Sequence, residues 1–193
     1  MSVGTALKSH LSEAEYLLWE EAQESRHEYY DGQIVAMSGG SFDHNRIVQN
    51  LSTELGIAFK AKHCECFTQS QKVRIAQKHS FLYPDVVVTC GGTQKGEGYA
   101  ILNPLLAVEV LSPSTARRDW NEKREAYQSL PTLQEYVVIA QDTPRVALYR
   151  RGENDTWQES VIVGMNAMLI LESIGLEIPF TDLYARVEFE TND

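Results

Sequence analysis

The sequence has little basic charge, few cysteines and no long apolar run. Its 193 residues include 17 Lys and Arg against 27 Asp and Glu, a formal net charge of −10. This balance argues against a broad nucleic-acid surface, which normally makes a domain basic, but a local basic site beside a metal remains compatible with it. No stretch is apolar enough to span a bilayer, and the N-terminal residues lack the pattern of a signal peptide. We therefore expect a cytoplasmic protein without membrane contact.

Cysteine is scarce, and its spacing is uninformative. The three cysteines are Cys64, Cys66 and Cys90, an odd number without the spacing of a zinc site. A reducing setting is the simplest interpretation. The Cys64–Cys66 pair could be redox-active, but we interpret both cysteines as inert strand residues.

The composition that remains is that of one globular domain over residues 1–193, with 43% hydrophobic and 23% charged residues. Ser12 and Glu15 have the spacing of a capping box, which predicts a short helix after residue 12. Asp31-Gly32 lies between two β-rich segments and predicts a hairpin turn. Apolar residues recur at helical spacing over residues 43–62, which predicts the best helix of the chain.

The second half of the sequence alternates between strands and one helix. We expect 64–69 and 72–76 to form an antiparallel pair, and 81–90 to be one strand entered through a proline. The continuously apolar segment 105–112 predicts a central strand, and a helix over 117–130 leads to a parallel neighbour at 134–141 through a right-handed crossover. Antiparallel edge strands follow at 145–151 and 157–164. The fold class is therefore α+β or mixed α/β, with a central mixed sheet flanked by helices.

Glu109 lies in the middle of that apolar central strand. An ionised carboxylate there costs several kcal/mol unless it is paired or bound to a cation. Asp85 follows Pro84 at the mouth of another strand, so the two carboxylates converge if the strands are neighbours. Paired acids with an open face are the usual way to hold Mg²⁺, which can activate water and stabilise a phosphoryl transition state.

A lysine lies on the face of the next helix that should contact the sheet. Trp120, Lys123, Tyr127 and Leu130 share this face, and three of the four are large and partly or wholly apolar. Lys123 is therefore a candidate partner for Glu109. The alternative is that its stem passes Tyr127 and carries the ammonium to solvent.

These features resemble the PD-(D/E)XK nuclease superfamily. More narrowly, "RHEYYDGQIVAMSGGSFDHNRIVQNL", "YPDVVV", "AVEVLSPSTARRDWNEKREAY" and "LQEYVVI" resemble a widespread bacterial family of restriction-endonuclease-like proteins, classed as a domain of unknown function. The resemblance runs from about residue 12 to 150. It implies a nuclease-like core there, with edge strands and a C-terminal segment at 151–193.

The resemblance implies an endonuclease that hydrolyses phosphodiester bonds in DNA with Mg²⁺, or Mn²⁺, and no organic cofactor. Asp85, Glu109 and the main-chain carbonyl of Val110 would hold the metal. The superfamily pattern expects a lysine two residues after Glu109, where this sequence has Leu111. Lys123 from the helix would take that catalytic role, and a homodimer would allow both strands to be cut.

Four further residues are candidates around this site. His44 and Glu28 would lie at its rim, His44 donating to a phosphate and Glu28 holding a water or a second metal. Arg117 and Arg118 would position the nucleic-acid backbone. The alternatives are a core or cap histidine, a glutamate that faces water and ordinary loop charges. If Lys123 does not reach the site, a catalytically degenerate protein that binds nucleic acid or a protein partner is the better interpretation.

Overall fold

Strands dominate the computed structural model of this chain, which describes residues 6–8, 11–37, 39–111 and 122–189. The strands within these ranges are β1 (Ala6–Lys8), β2 (His27–Tyr30), β3 (Gln33–Ala36), β4 (Cys64–Thr68), β5 (Val73–Ile75), β6 (Ser80–Leu82), β7 (Val86–Cys90), β8 (Leu106–Leu111), β9 (Glu135–Ala140), β10 (Arg145–Arg151), β11 (Trp157–Val163), β12 (Met168–Leu171) and β13 (Leu176–Pro179). The α-helices there are α1 (Glu13–Glu21), α2 (Phe42–Phe59), α3 (Arg124–Gln128) and α4 (Phe180–Leu183).

The central sheet is mixed. Its six strands lie in the order β11-β10-β9-β8-β7-β4, with β8 and β9 parallel and the other neighbours antiparallel. A second, antiparallel sheet has the order β1-β3-β2-β6-β5, and β12 pairs with β13. This arrangement confirms the α+β fold with a central mixed sheet, and it confirms β8 as an inner strand with a parallel neighbour.

The two faces of β8 are covered by different helices. Val108 and Val110 belong to the apolar cluster that contains Leu51 of α2. Successive side chains of a strand alternate between faces, so Ala107 belongs instead to the cluster of Tyr127 in α3. Glu109 is an odd-numbered residue of the same strand and lies on this second face, where α3 covers it.

The predictions that depend on a few adjacent residues are confirmed. Ser12 and Glu15 form the predicted capping box. Asp31 and Gly32 connect β2 to β3 with φ angles of 44° and 88°, the positive values that a tight two-residue hairpin turn needs. Helix α2 begins one residue before the predicted segment, and its N-cap is Ser41, whose side chain accepts from the backbone N–H of His44.

One predicted pairing and one predicted strand are wrong. Strand β4 pairs with β7 in the central sheet, whereas β5 pairs with β6 in the second sheet, so segments 64–69 and 72–76 are not partners. Segment 81–90 is two strands rather than one, because Pro84 cannot donate to a ladder and the chain leaves one sheet for the other at this point. The N–H of Tyr83, just before it, donates to the carboxylate of Glu28.

The interpretation of Cys64 as an inert strand cysteine is also wrong. Cys64 and Cys90 stand opposite each other in the β4–β7 pair and form a disulfide. Cys66 is the free cysteine of the described residues. The cysteines therefore give no support to a reducing setting. Within the described ranges, no helix is long and apolar enough to cross a bilayer.

Candidate active site

Asp85 directly precedes β7, and Glu109 lies on β8, which pairs with β7. Strands β7 and β8 are antiparallel, with Val86 opposite Val108. Extending this register by one residue sets Asp85 opposite Glu109. The carboxylate Oδ2 of Asp85 accepts from the backbone N–H of Val110 at 2.7 Å. The sheet thus brings Asp85 to the Glu109–Val110 peptide, and β7 and β8 are the neighbouring strands that were predicted.

Lys123 reaches the buried glutamate from the residue that precedes α3. Its Nζ lies 3.0 Å from Oε1 of Glu109 and 3.0 Å from Oε1 of Glu28. The lysine side chain is 7% exposed, and each glutamate side chain is 4% exposed. The ammonium is therefore held between two carboxylates inside the protein, and the alternative that it extends to solvent is wrong.

Glu28 belongs to the same cluster, although it comes from the other sheet. It lies on β2, is buried, and accepts from the backbone N–H of Tyr83 at 3.1 Å. The alternative of a hairpin residue that faces water is therefore wrong. The contact between Glu28 and Lys123 joins the second sheet to α3 across the face of the central sheet.

Tyr127 also contacts this site, which the sequence had not revealed because its position suggested packing alone. It is a contact of Glu109: its hydroxyl donates to Oε1 of that glutamate at 3.3 Å. Burial raises the pKa of this phenol well above its usual value, so it stays a neutral donor. The available signal was its place one helical turn after Lys123, on the same face.

His44 contacts the other carboxylate. Its Nε2 lies 3.2 Å from Oδ2 of Asp85, and the imidazole is buried at the first turn of α2. Nδ1 has no hydrogen-bond partner among the described residues. The ring fills the space above Gly40, where a Cβ would lie 2.6 Å from Nδ1. Glycine at position 40 therefore leaves room for the histidine that faces Asp85.

We call Lys123 and its two contacts Glu28 and Glu109, together with Asp85 on the Val110 N–H beside Glu109, the acid cluster. Its members carry three carboxylates against one ammonium. No group of three or more His, Cys, Asp or Glu side chains in the described ranges has the arrangement of a metal cage. Mg²⁺, however, is commonly bound through one or two carboxylates while it keeps several waters, and an oxygen-rich site with surplus negative charge fits that ion. Arg117 and Arg118 lie outside the described residues.

A family model described as "Uma2: Putative restriction endonuclease" matches residues 13–181. The chain belongs to the Uma2 family. The resemblance to restriction-endonuclease-like proteins is thereby confirmed, and a nuclease-like function is supported at the level of the Uma2 family.

Two relatives and one solved structure accompany this Uma2 assignment. Both relatives are from Synechocystis sp. (strain ATCC 27184 / PCC 6803 / Kazusa). "Uncharacterized protein slr1290" is 37% identical over 93% of this chain and 94% of its own, and "Uncharacterized protein sll1609" is 36% identical over 81% and 90%. The solved structure, described as "a putative nuclease belonging to DUF820 from Anabaena variabilis ATCC 29413", has a TM-score of 0.74 and 18% identity, and covers 91% of this chain and 98% of its own. This similarity shows the fold.

Proposed function

We propose that the protein is a metal-dependent endonuclease that hydrolyses phosphodiester bonds in DNA. Asp85, Glu109 and the main-chain carbonyl of Val110 would hold Mg²⁺ or Mn²⁺. The observation that carries the proposal is the contact between Lys123 and Glu109. Lys123, directly before α3, supplies the ammonium that the superfamily pattern would place at position 111, where this chain has leucine.

Each member of the site has a role that its contacts support. A bound metal ion would supply Lewis-acid polarisation of the phosphate and a more acidic water. The ammonium of Lys123 would orient the attacking water and stabilise negative charge that develops on the phosphate. Glu28 holds this ammonium from the opposite side, and Tyr127 fixes the Glu109 carboxylate. His44 contacts Asp85 through Nε2 and would orient that carboxylate.

Binding of duplex DNA needs surfaces beyond the acid cluster. Arg117 and Arg118 would contact the phosphate backbone, since they precede Lys123 by only a few residues. A homodimer would place two clusters on one duplex. Strand β11 lies at the edge of the central sheet and exposes Val161 and Val163, so it offers a surface for pairing with a second copy.

Plasmid cleavage tests the proposal. Supercoiled plasmid is incubated with Mg²⁺ or Mn²⁺ and the wild type, Glu109→Gln, Lys123→Met or the matched control Lys60→Met, which removes an exposed lysine at the end of α2. We expect nicking or linearisation by the wild type and the control, and loss of at least about 100-fold in both site variants. Cleavage that survives both substitutions would contradict the assignment.

A degenerate nuclease fold that binds nucleic acid or a protein partner is the second candidate. The net charge of −10 and Leu111 at the usual lysine position favour it. It predicts no cleavage with either metal. Calorimetric binding of Mn²⁺ that Glu109→Gln abolishes, with no cleavage by the wild type, would select this candidate.

A further inference from the structure

A cleft of about 500 Å³ lies beside α1, outside the acid cluster. This α1 cleft is lined by Leu17, Leu18, Glu20, Glu21, Arg26, Ser70, Gln71, Lys72, Tyr83, Gly98 and Tyr99. Its volume lies within the roughly 300–1,000 Å³ of small-molecule sites. It shares a wall with the acid cluster, because the ring of Tyr83 faces the cleft while its N–H donates to Glu28.

Two cations of this acidic protein line the cleft. Lys72 is half-buried beside the ring of Tyr83, with Nζ 6.0 Å from the ring centroid. Burial lowers the pKa of its ammonium. Neither Lys72 nor Arg26 forms a side-chain hydrogen bond or an ion pair within the described residues. A half-buried ammonium in such surroundings can pair with an anionic group that enters the cleft.

The acids of the cleft do not neutralise these cations by direct contact. Glu20 is buried, and its Oε1 accepts from both the N–H of His27 and the hydroxyl of Tyr83. Its second oxygen contacts the imidazole of His27 at 3.1 Å. Glu21 is exposed at the end of α1, where water screens it.

Two large, exposed side chains also belong to the lining. The ring of Tyr99 is 79% exposed and the side chain of Leu18 is 73% exposed. Tyr99 sits in a left-handed conformation with φ of 59°, and its carbonyl accepts from the side-chain amide of Gln71. An exposed aromatic ring is a suitable surface for stacking a nucleobase.

We propose that the α1 cleft binds one nucleotide unit, with the phosphate between Lys72 and Arg26 and the base against Tyr99. Two sources share this chemistry: an unpaired nucleotide of a nucleic-acid strand and a free nucleoside monophosphate. The strand source rests on the proposed function, since the strand would continue past Tyr83 to the acid cluster. The proposal that the cleft binds a nucleotide depends only on the residues that line the cleft.

Fluorescence anisotropy without metal tests this site separately from cleavage. A fluorescein-labelled oligothymidylate is titrated with protein in EDTA, and adenosine 5′-monophosphate is added as a competitor and in separate calorimetry. We expect Lys72→Met to weaken binding about tenfold or more and Tyr99→Ala about fivefold or more. Lys60→Met, which makes the same charge change on an exposed surface, should leave binding within about twofold.

The outcomes separate the two sources and can overturn the site. Oligonucleotide binding without competition supports the strand source, whereas binding of the monophosphate alone supports the free nucleotide. Binding of neither probe, or equal losses in Lys72→Met and Lys60→Met, would overturn the proposal. Because these titrations contain no metal, inactive wild type in the plasmid assay would leave their result unaffected. Thermal melts check folding, and we expect Lys72→Met to melt no lower than the wild type because it removes a desolvated charge.

Discussion

Replacing Lys123 by methionine would remove the counterion of two buried carboxylates. The ammonium lies 3.0 Å from both Glu28 and Glu109, and none of the three side chains is more than 7% exposed. Because all three side chains are buried, water does not weaken these ion pairs as it weakens pairs at the surface. Breaking a buried pair by removing one partner costs about 3–5 kcal/mol, and Lys123→Met should therefore lower the free energy of unfolding by that amount.

Equilibrium unfolding in urea measures this loss. With an m-value of about 3 kcal/mol/M, at the upper end of the usual range for small proteins, the midpoint should fall by roughly 1–1.7 M. The neutral triple variant Glu28→Gln/Glu109→Gln/Lys123→Met should recover at least half of the loss. In that variant the buried charges are gone, and the glutamine amides can still accept hydrogen bonds.

Two results would refute this reasoning. A midpoint for Lys123→Met within about 0.3 M of the wild type corresponds to about 1 kcal/mol, the value of an exposed pair, and would show that the lysine is in water. A triple variant as unstable as Lys123→Met would show that the cost comes from packing and not from charge. Lys60→Met is the matched control and should unfold with the wild type.

Three further predictions concern other sites. Burial raises the pKa of the Cys66 thiol from 9.0 to about 11, so the stability that the neutral thiol confers is present below pH 9 and lost as pH rises to 11. Cys66→Ala should therefore make the fall in unfolding free energy shallower between pH 9 and 11 in urea titrations; equal slopes would contradict this. Tyr184→Phe should cost about 1–3 kcal/mol in the same assay, because the buried hydroxyl bonds both the N–H and the carbonyl of Arg145; a loss below about 0.5 kcal/mol would speak against those bonds. Gly40→Ala should displace the His44 ring and lower plasmid cleavage to the level of His44→Ala while the urea midpoint stays close to that of the wild type; full activity would show that the ring adapts.

Features set by neighbouring residues could be predicted from the sequence. The capping box at Ser12 and the turn at Asp31-Gly32 depend on a few adjacent side chains and backbone angles. The contact of Lys123 with Glu109 could be predicted for a related reason. A buried charge in a strand needs a partner, and helical spacing placed one lysine on the face that covers that strand.

Features set by distant segments could not be predicted in this way. Strand β4 has an equally plausible partner in β5 or in β7, and the choice depends on where Pro84 sends the chain from one sheet to the other. The burial of Glu28 could not be predicted for the same reason. Nothing near Glu28 in sequence marks it as buried, because the groups that enclose it come from Tyr83 and Lys123.

The acid cluster draws on both sheets and on α3, with members at positions 28, 85, 109 and 123. A chain emerging from the ribosome presents Glu28 long before the lysine that neutralises it has been made. The cluster therefore forms late, once the two sheets have docked and α3 has closed over them. If the proposed hydrolysis is correct, a half-made chain cannot cut the nucleic acid around it, and synthesis itself delays the activity until the whole site has been translated.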